Sequence, residues 1–242
     1  MKIDTNDILN SILESLDHVD YIRPEEIPNI DLYMDQVTTF MDEHLFSTKR
    51  YSEDKILTKT MINNYSKNNL LPPSVKKKYS KEHVLLLILI YYFKSILSIK
   101  DIETILTPLR EKYFPEEGPL SLSEVYREIC EIEKSRIEPM KASVKEAYEK
   151  SGQAFRNIPE GEDRDELRLF AFLCSLSFDV YLKKMMIENL IDELASKKEE
   201  LSPLMKTSKS ESAFRDSRKM SLQADFMGVF KDTFMADASG YP

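Results

Sequence analysis

The sequence predicts a mainly all-α protein, and three observations carry that expectation. Apolar residues recur at three- and four-residue steps along most of the 242 residues, the period of a helix with one buried face. Only five glycines and no tryptophan occur, and the charged fraction of 31% suits solvated helix surfaces. Nothing in the pattern suggests a β-sandwich. The length is enough for a sizeable core, and two small helical domains fit it best.

Residues 1–28 read as an amphipathic helix and a linker. Thr5 is placed to cap a helix whose Ile8, Leu9, Ile12, Leu13 and Leu16 form a stripe that needs a partner surface, as a docking arm would. Pro24 and Pro28 bracket the connector.

Residues 29–117 read as one compact helical domain interrupted by an extended hairpin or wing. Asp31 to Leu45 forms a helix with Met34, Val37, Met41 and Leu45 on one face. Phe46 to Lys55 is polar and aperiodic, a loop. Thr58 caps a short helix running to about Asn68. Leu70-Leu71-Pro72-Pro73 stops that helix, because proline removes a donor and pushes the preceding residue out of helical geometry. The residues after it must be extended. Ser80 caps a strongly apolar helix to about Ile96, and Ser98-Ile99-Lys100-Asp101 is a capping-box-like start for another with Ile102, Ile105, Leu106 and Leu109 as its stripe. Pro108 and Pro115 close the unit.

Residues 118–196 read as a helical hairpin that serves for dimerisation or effector binding. From Leu122 to Ala147 the spacing stays helical, with a kink at Pro139. After a break from Gly152 to Gly161, Asp163 to Ser196 is apolar enough to be buried on more than one side. Two antiparallel helices bury little alone, so a homodimer is expected here. Phe170, Phe172 and Tyr181 read as packing residues, with a small-molecule pocket as the alternative. Residues 197–242 read as a mostly flexible tail, in which Phe226, Val229, Phe230 and Phe234 could lie on one short helix.

Charge is unevenly distributed. The net charge is −8, yet residues 49–83 hold nine basic side chains against three acidic ones, which leaves the remainder at −14. That is the balance of an acidic protein with one anion-binding surface. Cys130 and Cys174 have no partner at metal-ligand spacing and read as core thiols in a reducing cytoplasm. The acidic start MKIDTNDILNSILESLD has no basic n-region or apolar h-region, so export is not expected. The apolar run from Val84 to Phe93 is too short to cross a bilayer, and no membrane span is expected. No glycine precedes Gly118, which excludes a phosphate-binding glycine loop there. His18, His44 and His83 lie on separate elements, with His83 at a helix surface or core edge. We therefore expect no catalytic residues, no metal and no cofactor.

The segment from Leu57 to Tyr65, then Leu70-Leu71-Pro72-Pro73, Lys77-Lys78-Tyr79-Ser80 and Ser98 to Ile102, resembles the MerR-type winged helix-turn-helix in order and spacing. Ile27-Pro28-Asn29, Met34 to Val37 and Leu57 to Pro72 also resemble an uncharacterised bacterial family built on that module. The resemblance covers about a third of the chain and implies a recognition helix, a basic wing and DNA as the partner. Three departures stand out: Asn63 falls where the family has an arginine, Asn64 falls where its first aromatic stands, and the turn glycine is missing.

The residues themselves fit that chemistry. A helix N-terminus offers N–H groups to phosphate, and Thr58, Lys59 and Thr60 add donors there. Asn63 and Asn64 could pair with adenine edges or be plain polar surface. Lys67 extends the basic character of this helix, Lys76, Lys77 and Lys78 would neutralise backbone charge from the wing or form only a solvated turn, and Tyr79 would anchor the wing. Met61, Ile62 and Tyr65 read as packing residues. The alternative is a protein-interaction module that has lost DNA binding. An effector or protein partner is left open.

Overall fold

The computed structural model describes residues 5–16, 21–114 and 120–207. The expectations placed on Pro115, Gly118 and the phenylalanines from Phe226 to Phe234 lie outside the described residues. The chain divides into two compact units, residues 1–191 and 192–242.

The described part is mainly helical. Eight helices are α1 (Thr5–Ser15), α2 (Met34–His44), α3 (Lys59–Lys67), α4 (Lys81–Phe93), α5 (Ile99–Tyr113), α6 (Leu122–Ser135), α7 (Ile137–Gly152) and α8 (Glu162–Thr207). Two short strands, β1 (Leu32–Tyr33) and β2 (Lys78–Tyr79), pair antiparallel with Leu32 opposite Tyr79 and Tyr33 opposite Lys78.

α4 is the axis of the core. Every residue from Glu82 to Ile90 is buried, as expected of a helix that is apolar all round. Around it pack Val37 and Met41 of α2, Ile62 and Tyr65 of α3, Ile102 and Leu106 of α5, and Leu122 and Tyr126 of α6. Burying each large aliphatic side chain in this shell contributes about 1.5–3 kcal/mol.

Local chemistry sets the boundaries. The Thr58 hydroxyl accepts the Met61 N–H at 3.2 Å and opens α3. At its other end Asn69 takes the left-handed conformation (φ 55°), and the N–H of Leu70 donates to the carbonyl of Tyr65 at 2.9 Å. The N–H of Asn69 reaches Ser66 at 3.3 Å, which completes a Schellman closure. The helix thus stops at an asparagine, ahead of the prolines expected to end it. Ser98 opens α5 by accepting from the Asp101 N–H at 3.2 Å while the Asp101 carboxylate accepts the Ser98 N–H at 3.1 Å.

Several boundaries differ from expectation. Asp31 lies outside the helix, which begins only at Met34, because Leu32 and Tyr33 are taken into the strand pair. Pro108 sits inside α5, which runs on to Tyr113 instead of closing at the proline. The expected kink at Pro139 is a break at Arg136. Pro139 occupies the third position of α7, where a backbone N–H would have no intrahelical acceptor, so proline is tolerated. α8 continues past Ser196 to Thr207.

Packing also corrects expectation. His83 is buried in the core rather than at a surface or core edge, with its ring edge-on to Tyr79 and Phe114 at 5.5 and 4.8 Å. Cys130 is buried, but Cys174 is partly exposed. α1 does act as a docking arm: Leu9 and Leu13 pack with Phe172, Val144, Ala147, Tyr148 and Leu176 of the α7/α8 hairpin, although Ile12 of the same stripe points to solvent. α8 is not buried on two sides. Phe172 closes edge-on against Tyr148 at 5.2 Å, while Phe170, Leu173 and Tyr181 are exposed.

Among the described residues no helix is long and apolar enough to cross a membrane, and no group of three or more His, Cys, Asp or Glu side chains is placed to hold a metal ion.

Candidate functional site

Val75 to Lys78 forms a two-residue hairpin. The N–H of Val75 donates to the Lys78 carbonyl at 3.1 Å, and the Lys78 N–H donates back at 2.9 Å. Lys76 and Lys77 therefore hold the two central positions, with φ of 51° and 64°, the signs of a type I′ turn. Asparagine and glycine dominate such positions, because a side chain bearing a Cβ is crowded there by roughly 1–2 kcal/mol per residue. Both lysines are exposed at the tip, and Lys78 is half-buried at the base.

The hairpin is tied to α2 and α3. Lys78 pairs across to Tyr33, and its ammonium lies 5.3 Å from the centroid of that ring. Tyr33 precedes α2, whose first turn carries Asp35, and Asp35 forms an ion pair with Lys59 in the first turn of α3. One short stretch of chain thus connects the base of the basic hairpin to the N-terminus of α3.

α3 divides cleanly into two faces. Ile62 and Tyr65 are buried and Met61 packs partly against the same core, as the helical spacing predicted. Lys59, Thr60, Asn63, Asn64 and Lys67 are all exposed, following one another at the spacing of a single outward face. Thr58 is half-buried, and its hydroxyl is engaged in the cap. The cap takes up the Met61 N–H, whereas the N–H groups of Lys59 and Thr60 have no intrahelical acceptor. Tyr79 is buried against His83 and the core, so its ring anchors the hairpin from beneath.

Two features of this surface carried no signal in the sequence reading. Tyr33, about half exposed beside the hairpin, falls within the helix expected from Asp31, and the strand preference of its own aromatic ring is the one local hint otherwise. Arg110 of α5 donates to the carbonyl of Asn69 and holds the turn that follows α3. Next to it an open groove of about 490 Å³ is lined by Ser66, Asn69, Pro72, Pro73, Arg110 and Phe114.

The core of His83 explains how the hairpin is held. The backbone N–H of Ser80 donates to its Nδ1 at 3.0 Å, so this nitrogen is an acceptor and the proton sits on Nε2. Nε2 is buried without a hydrogen bond. Burial lowers the imidazole pKa, opposed by the nearby Pro73 carbonyl, the Glu82 charge, the Pro72 carbonyl and Asp31.

The phenylalanine and tyrosine residues considered for a small-molecule pocket do not converge, since Phe172 is buried while Phe170 and Tyr181 are exposed.

In class, then, this is a mainly helical domain with a two-stranded sheet that presents a basic hairpin beside a capped helix. Residues 22–129 match the model of a family described as a domain of unknown function (DUF1836), a span that starts ten residues ahead of β1 and ends within α6. That match agrees with the expectation of an uncharacterised family over this stretch. No curated protein and no solved structure matches the chain.

Proposed function

We propose that this protein is a sequence-specific DNA-binding transcriptional regulator of the winged helix-turn-helix kind, resembling the MerR type and acting as a homodimer through the region 121–196. The observation that carries the reading is the hairpin tip, where two lysines occupy backbone positions that disfavour them. Strain at such positions persists where the surrounding structure enforces it, and it clusters at functional sites. Lys76 and Lys77 are thereby held away from the core, where they would neutralise phosphate charge.

α3 is the proposed recognition helix. Its exposed face offers Asn63 and Asn64 for base edges and Lys59, Thr60 and Lys67 for the backbone. The ion pair of Lys59 with Asp35 is exposed, so it yields readily to a phosphate.

A second reading is a protein-interaction module that has lost DNA binding. Asn63, standing where the MerR type has an arginine, favours it.

Genomic DNA selection with the purified full chain at moderate salt separates the two. Enrichment of a few two-fold symmetric sites, lost when Lys76, Lys77 and Lys78 are changed to Ala, is the expected result. Each lost phosphate contact should also lower the salt slope of binding by about 1. No enrichment at low salt would leave the interaction module as the better reading.

A further inference from the structure

We infer that two copies of this chain pair antiparallel through the exposed apolar face of α8, with Glu166 of one copy opposite Lys184 of the other. The inference rests on the homodimer half of the proposed function and is independent of DNA binding.

Nine apolar side chains between Leu169 and Met186 are each 39–64% exposed. At about 100° per residue Leu169, Phe170, Leu173, Val180, Tyr181 and Met185 fall within one half of the helix surface, while Phe178, Leu182 and Met186 turn away from it; counting about 150–250 Å² for a full aromatic side chain and less for an aliphatic, the six present roughly 500–600 Å². The largest patch on a typical monomer is about 300–600 Å², and a stable interface uses about 800 Å² per partner. Two such faces pressed together bury roughly 1,000–1,200 Å², the size at which a specific interface between two copies begins.

Its arrangement selects the occupant. Phe170, Leu173, Ser177, Tyr181 and Met185 follow at three- and four-residue steps and so lie on one stripe, with the small Cys174 and Ser177 near its middle where a second helix can approach closely. From Leu169 to Leu182 the only charge is Asp179. The stripe is bracketed by charges of opposite sign. Glu166 and Lys184 are 18 residues apart in the sequence, which is about five helical turns, so they fall on the same face. A two-fold axis midway between them sets each Glu166 against the partner's Lys184, whereas parallel pairing would stack like charges. Within one copy Lys184 already pairs with Glu188, an exposed contact of small worth that can be shared.

The test is sedimentation velocity on the full chain at micromolar concentration, without DNA. Wild type should be a dimer. Leu173→Asp, a change at an exposed position that leaves far-ultraviolet circular dichroism unaltered, should be a monomer. Glu166→Lys and Lys184→Glu should each weaken association about tenfold or more, and the two together should restore it. A monomeric wild type would overturn the pairing, as would a monomer that dimerises only when residues 208–242 are removed, since that would put the chain's own tail on the face. A dimer indifferent to Leu173→Asp would move the interface elsewhere, and a double charge reversal no better than the single ones would overturn the antiparallel arrangement. Because no arm involves DNA, failure here leaves the reading of the hairpin standing.

Discussion

Replacing Lys76 by Asn together with Lys77 by Gly separates backbone strain from charge at the hairpin tip. Both lysines sit at positive φ, where Asn and Gly are preferred, so the exchange relieves about 1–2 kcal/mol at the glycine and about 1 kcal/mol at the asparagine, which keeps its Cβ but hydrogen-bonds locally in this region. Glycine gives back about 0.5–1 kcal/mol through the greater freedom of the unfolded chain. A net gain of about 1–2.5 kcal/mol remains, which for a chain of this size raises the melting temperature by roughly 2–10 °C. Changing the same two residues to Ala removes the same charge but keeps the crowded Cβ, and should leave the melting temperature close to wild type. If both pairs of changes lower the salt slope of DNA binding by about 2 while only the Asn-Gly version melts higher, the turn geometry and the phosphate role are both supported. An Asn-Gly variant that melts no higher than the Ala variant would refute the type I′ geometry, and an unchanged slope in both would refute the phosphate contact.

Thr58→Ala removes the hydroxyl that caps α3 and should cost about 1 kcal/mol in urea unfolding, while Thr58→Asn, which can still cap, should cost little. His83 is buried as the neutral ring with its pKa lowered mainly by burial, so the unfolded chain takes up a proton that the folded chain resists. Stability should fall as the pH drops below about 6.5 and continue falling towards the depressed folded value. His83→Gln keeps an acceptor for the Ser80 N–H at the third helical position, so it should retain the cap and remove this acid-side loss; unfolding curves at pH 7.5 and 5.5 read the difference.

The legible parts of the fold were those written in local chemistry. Thr58 and Ser98 fix their helix starts because a hydroxyl three residues ahead of a backbone N–H is a short-range arrangement. The α3 face was legible for the same reason, since the helical period alone divides Ile62 and Tyr65 from Asn63 and Asn64. The hairpin geometry was not. A Lys-Lys pair carries no turn signal, and what forces it into the left-handed region is the long-range pairing of β2 with a strand more than forty residues earlier. His83 escaped for a similar reason, because its burial depends on Phe114 arriving from α5. The apolar content of α8 was plain in the sequence, but content does not say whether the cover comes from within the chain. Pro108 and Pro139 show the limit of proline as punctuation: one is carried inside a helix and the other lies just within a helix start.

The packing of α1 has a consequence for how the protein is made. Leu9 and Leu13 precede the surfaces they cover, Val144 to Tyr148 and Phe172 to Leu176, by more than 130 residues of synthesis. At synthesis rates of about 5–20 residues per second, α1 waits on the order of 10–30 s before its partner exists. During that interval its apolar edge is open to chaperones and to other nascent chains on the same message, so the docking of α1 waits on the synthesis of α7 and α8.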